Sequence, residues 1–163
     1  MKGNLLLVLV LMFGSMHTQG QDNFPSLPLK LTNGKTIDFK DLANNSKDTM
    51  VVLSFWATWC VPCINELEII NDVFEEKQAI NPFKFYGVSV DDSRTSQRVK
   101  PFIKGKGWKF DVILDVNSEL KRAMNVTDVP HVFIIKNNKI VYSHTGYIAG
   151  EEENLFEAIK NIK

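Results

Sequence analysis

Cysteine and histidine are scarce in this 163-residue chain: two of the first and three of the second. A structural zinc centre takes four nitrogen or sulfur ligands, so the inventory barely reaches one such site. Charge of either sign is equally unremarked, because 19 Lys and Arg stand against 19 Asp and Glu. Nothing here offers the basic footprint that nucleic acid or an anionic membrane surface requires, and no nucleic-acid partner is expected. Pro/Gly-rich linkers and internal repeats are also missing, which argues against tandem modules and for one domain. No apolar run approaches the ~20 residues that span a bilayer.

The longest such run, Leu5 to Phe13, has nine residues. It follows Lys2 and precedes the small and polar stretch Gly14 to Gly20, the tripartite layout of a secretory signal peptide. Residues 1–20 are therefore expected to be a removable export signal, cleaved after Gly20 with Thr18 three positions before the cut. The folded domain is expected over 21–163, with one basic residue fewer and a formal charge of −1. Export would place both cysteines in a compartment where disulfides persist.

Along the remaining chain, Leu29 to Leu31 and Ile37 to Phe39 flank Asn33-Gly34, a two-residue hairpin signal. Met50 to Phe55 is a nearly continuous apolar and β-branched run, as in a strand buried on both faces. A helix is predicted from about Cys60 to Lys77, ended by Asn81-Pro82. Strands follow at Phe83 to Val90 and Phe110 to Leu114, with a helix at Ser93 to Lys104 that Pro101 would kink or shorten. A short helix capped by Asn117 runs to Met124; a hairpin turning at Asn137-Asn138 joins His131–Ile135 to Ile140–His144. Gly150 and three glutamates open the last helix. A β-α-β unit followed by β-β-α gives an α/β fold around one mixed sheet.

Cys60 and Cys63 enclose only two residues, and a disulfide closing so short a loop removes little chain entropy. Their place at a strand-to-helix junction suits reaction better. The first sulfur falls at a helix N-terminus, where unpaired N–H groups and the dipole stabilise a thiolate. A zinc half-site is the competing reading, but only His131 and His144 remain outside the export signal, and their spacing forms no second ligand pair.

The string Trp56-Ala-Thr-Trp-Cys-Val-Pro-Cys63 resembles the active site of the thioredoxin superfamily, and specifically its exported TlpA/ResA-type branch. The likeness runs from about Leu29 to Lys163 and implies a thioredoxin fold, a central mixed β-sheet flanked by helices, with an N-terminal β-hairpin extension. It implies that Val129-Pro130 is cis and lies across from the cysteines, with the Val129 backbone free to pair with a client strand. Glu66, three residues after Cys63, matches the acidic residue of that branch, there a partly buried carboxylate handling protons for the thiols. Thioredoxins carry a buried Asp where this chain has Ser54, so Glu66 is expected to take over that role. Trp56 is expected to pack beside the disulfide, Trp59 to be partly exposed on the client surface, and Pro62 to support the site between the cysteines. His131, directly after Pro130, is left outside the catalytic set.

The activity implied is thiol-disulfide exchange with exported protein clients, without a bound cofactor or metal beyond the redox-active Cys60–Cys63 pair. The branch points to a reductant, for instance of apocytochrome c thiols in cytochrome c maturation, recharged by a membrane electron donor. Val61-Pro62, with no histidine between the cysteines, leans the same way. A disulfide oxidant or isomerase, a thiol peroxidase, and a non-enzymatic client- or copper-binding module remain open on sequence grounds.

Overall fold

The computed structural model describes residues 23–162; the expected export signal at 1–20 lies outside them. Seven strands form one mixed sheet. They are β1 (Pro28–Leu31), β2 (Thr36–Asp38), β3 (Met50–Trp56), β4 (Phe83–Ser89), β5 (Asp111–Leu114), β6 (His131–Lys136) and β7 (Lys139–Thr145), in the spatial order β2-β1-β5-β4-β3-β6-β7. The central strands β3, β4 and β5 are parallel, and β1, β2, β6 and β7 complete the sheet with antiparallel pairings. The mixed sheet is the one expected, and the N-terminal hairpin extends it by pairing Leu31 with Ile113.

Strand β3 lies at the centre of the core, every residue buried as its apolar run predicts. Its alternation divides the interior in two. Val52 and Trp56 face a cluster built on α2 (Val61–Ile80), α3 (Val99–Lys106) and α5 (Glu152–Asn161), while Val51, Leu53 and Phe55 face α1 (Phe39–Asn44) and α4 (Glu119–Ala123). Gly87 in β4 is dictated by this packing: a Cβ there would sit 3.1 Å from Nε1 of Trp56 and 3.4 Å from the Phe110 ring. None of the helices among the described residues is long and apolar enough to cross a membrane.

Three local expectations are corrected. Phe39 does not continue the second hairpin strand but opens α1, because the Asp38 carboxylate accepts the Asp41 N–H at 3.2 Å and caps a helix. Pro101 neither kinks nor shortens its helix: residues 96–98 form a 3₁₀ turn, α3 begins at Val99, and Pro101 falls in its first turn, where no N–H is needed. Asn117 is not the cap of α4. Ser118 precedes that helix in the left-handed region at φ 54°, and the Asp115 carboxylate accepts the N–H groups of Leu120 and Lys121 at 3.0 and 2.7 Å.

Asp115→Ala therefore removes the acceptor of two helix-start N–H groups at once. Unfolding in urea should show a stability loss of about 1–3 kcal/mol with an unchanged slope. A midpoint equal to wild type would show that the left-handed Ser118 suffices to start α4.

Candidate active site

The active-site segment begins where β3 leaves the sheet. Residues 57–60 form a turn closed by the Cys60 N–H donating to the Ala57 carbonyl at 3.0 Å. Helix α2 then starts at Val61, with Pro62 at its second position, where a missing N–H costs nothing. Cys60 itself is the N-cap, and its Sγ accepts the Cys63 N–H at 3.4 Å. No acidic residue occupies the first turn of α2, so nothing opposes the positive end of the helix at this sulfur.

Cys60 and Cys63 are joined in a disulfide, with Cα atoms 5.3 Å apart. Cys63 is fully buried and Cys60 is 5% exposed, so an approaching partner meets Cys60. The Val129–Pro130 bond is cis, and the Val129 carbonyl oxygen lies 3.8 Å from Cys60 Sγ. Trp56 is buried and packs edge-on to Trp108 at 4.7 Å; Trp59 is 62% exposed and Val61 and Pro62 are exposed around the disulfide. The structure thus brings Trp56, Trp59, Cys60, Pro62, Cys63, Val129 and Pro130 to one end of β3.

Glu66 lies one turn below Cys63 on α2, 3% exposed, with Oε2 buried and without a hydrogen-bond partner. Burial pushes its carboxyl up to about 8, and the neighbouring carboxylates of Glu152 and Glu151 add to the rise. These neighbours were invisible to sequence patterning, which reads the glutamates after Gly150 only as helix-start residues. Glu152 is covered by its own loop at the rim of the core. Partial burial opposes its ionisation, but hydrogen bonds from its own N–H, the Tyr147 hydroxyl at 2.9 Å and the Gly150 N–H at 3.0 Å outweigh that and hold it below the usual range. Burial first, and then the bond to Glu152, push Tyr147 up to about 12, so its hydroxyl stays a donor. Glu66 therefore remains a neutral acid at neutral pH beside an anchored carboxylate.

His131 follows Pro130 but is occupied elsewhere. Its ring stacks on Phe133 at 4.3 Å, and its nitrogens lie 2.9 and 3.0 Å from the Ser143 and Thr145 hydroxyls. Burial, with His144 nearby, lowers its proton affinity. Ser54 is buried with no partner for its hydroxyl. Among the described residues, no three His, Cys, Asp or Glu side chains are grouped to hold a metal ion.

A sulfur at the edge of the surface capping a helix, a fully buried partner sulfur three residues on and a cis-proline opposite them constitute a dithiol exchange site. Comparison with known proteins agrees: the sequence model of the AhpC/TSA family matches residues 21–144. The chain belongs to the AhpC/TSA family. Within this AhpC/TSA assignment it is similar to the thiol-disulfide oxidoreductase ResA of Bacillus thuringiensis subsp. konkukian, 32% identical over 85% of this chain and 75% of that protein. The solution structure of a thioredoxin-like protein from Porphyromonas gingivalis is 41% identical, covers 85% of this chain and 90% of its own, and superimposes with a TM-score of 0.72. StoA from Bacillus subtilis, 24% identical over 83% of this chain and 96% of its own, has the same fold at a TM-score of 0.68. This AhpC/TSA member is a thiol-disulfide oxidoreductase of ResA type.

Proposed function

We propose that the chain reduces disulfides in exported protein clients, with Cys60 attacking and Cys63 resolving. The observation that carries this reading is that Cys60 Sγ is the cap of α2 and that Cys60, unlike the fully buried Cys63, keeps some surface open to solvent. In the reduced enzyme the Cys60 thiolate attacks one client sulfur. A bond forms between Cys60 and the client, the client S–S bond breaks, and the departing client thiolate takes a proton. Cys63 then gives up its proton, attacks Cys60 Sγ and displaces the second client thiolate, leaving Cys60–Cys63 oxidised. Two electrons pass from enzyme to client; Cys63 supplies one of the two protons the client gains and the solvent that took the Cys60 proton supplies the other, and no bound cofactor or metal is required.

Glu66 is the proton-handling group in this scheme. Protonated at pH 7 and one turn from Cys63, it first gives its proton to the departing client thiolate, and the carboxylate so formed then takes the proton that Cys63 must lose. Trp59, Val61 and Pro62 give the client an apolar landing around Cys60, and the Val129 backbone pairs with the strand that carries the client disulfide. Export is supported by the Lys2 and Leu5 to Phe13 pattern. An exported reductant would need a membrane electron donor to restore the dithiol, and cytochrome c maturation, with apocytochrome thiols as clients, is the process this arrangement suits.

Limiting iodoacetamide added to the reduced protein at neutral pH should label Cys60 at least about tenfold over Cys63 by peptide mass mapping, since reactivity follows thiolate fraction and access. Predominant labelling of Cys63 would reverse the two roles.

A further inference from the structure

Asp91 is fully buried at the end of β4, and none of the exchange chemistry above uses it. A carboxylate in that position is costly unless its oxygens are satisfied, and here they are satisfied by the active-site turn. Oδ2 accepts the Thr58 N–H at 2.9 Å and Oδ1 accepts the Thr58 hydroxyl at 2.6 Å. The Ser89 hydroxyl donates to Oδ2 at 2.9 Å and also accepts the Asp91 N–H at 3.2 Å, which fixes the carboxylate's aim independently of Thr58. The Val90 N–H donates to the Trp56 carbonyl at 2.8 Å, joining the same two segments by backbone. Thr58 is the first corner of the turn whose closing N–H belongs to Cys60.

We propose that Asp91 is a positioning residue for exchange: by pinning Thr58 through both backbone and hydroxyl, it holds the Cys60 sulfur in line with the Val129 carbonyl, where the client strand is received. The inference rests on Cys60 being the attacking sulfur. Its physical content is that docking a client disulfide needs Cys60 fixed relative to Val129, which lies on a different segment of chain. Reaction with a small electrophile needs only an accessible thiolate. Misplacement by a fraction of an ångström therefore penalises the first and spares the second.

Two rates separate these possibilities: kcat/KM for reduction of insulin, a protein disulfide, and the second-order rate of Cys60 alkylation by iodoacetamide. Asp91→Ala should lower the first about ten- to a hundredfold and leave the second within about threefold. Thr58→Val keeps the backbone bond and loses the hydroxyl bond, so it should fall between Asp91→Ala and wild type. Asp91→Asn, which still offers one acceptor oxygen, should recover part of the loss, and adding Thr58→Val to Asp91→Ala should cost nothing further. Parallel falls in both rates, or additive losses in the double variant, would reduce Asp91 to a general packing role and overturn the proposal. If Asp91→Ala does not fold, Thr58→Val decides alone: an insulin rate equal to wild type overturns the proposal. If the wild-type protein is inert toward insulin, the same comparison is made on the disulfide of the client captured by Cys63→Ser, and inertness there as well would remove the exchange reading, and this proposal with it.

Discussion

Cys63→Ser is expected to accumulate a covalent complex between Cys60 and its physiological client when produced in cells that export it. Attack needs only the Cys60 thiolate at the start of α2, which the substitution leaves in place. Release needs the buried Cys63 sulfur, now replaced by a hydroxyl that cannot attack a disulfide. The complex should be reversed by added thiol and exceed that of a Cys60→Ser, Cys63→Ser double variant by at least about tenfold. The number of partners captured carries its own information, since a dedicated reductant yields one or two proteins and a general one yields many. A folded, exported Cys63→Ser protein that captured no more than the double variant would eliminate the exchange mechanism in favour of a client-binding module.

Glu66→Gln should change both stability and chemistry, in directions fixed by the raised proton affinity of Glu66. In the unfolded chain this carboxyl ionises near 4.5, whereas in the folded protein it does so at about 8. Below 4.5 both states hold the proton and the group is neutral in its effect. Between those values the folded state binds the extra proton, so stability falls as pH rises; above about 8 the full penalty of a buried anion is present. A gap of this size corresponds to on the order of 4 kcal/mol. Urea unfolding of the oxidised protein at intervals from pH 4.5 to 8.5 should therefore show the variant gaining on wild type by that amount across the window. In the reduced protein, loss of the nearby acid should move the thiol titrations to lower pH and slow exchange about ten- to a hundredfold at neutral pH. A stability difference that stays flat with pH would place the Glu66 carboxylate in contact with water. Unchanged exchange rates would leave it a structural group only.

Legibility from sequence followed the range of each interaction. The buried strand β3, the Asn33-Gly34 and Asn137-Asn138 hairpins and the strand-to-helix cysteine junction are written in consecutive residues, and each stands where its pattern puts it. The cis bond before Pro130 and the burial of Glu66 came from resemblance, because neither a lone X–Pro pair nor a helical Glu announces them locally. Asp115 was overlooked as a cap because it reaches five and six residues ahead, beyond the N-cap spacing that Asn117 satisfied on paper. Asp91, 33 residues from Thr58, and Glu152, on the last helix, act on the site only through the fold. Sequence patterning sees a charged residue at each position and has no means of knowing what it faces.

Capping α2 with the reacting sulfur makes Cys60 a good leaving group as well as a good nucleophile, because the helix start stabilises the thiolate whether it is about to attack or has just departed. Once the mixed disulfide has formed, the client's own second thiol can expel Cys60 and undo the first step. Only the internal attack by Cys63 commits the complex to reduction. The fraction of encounters that end productively is therefore a race between two thiols for one bond, and the enzyme's advantage is that its competitor is held three residues away at fixed distance. A client whose second cysteine is tethered far from the first, or delayed by its own folding, loses that race, so selection among clients follows the geometry of their disulfides as well as their fit to the surface.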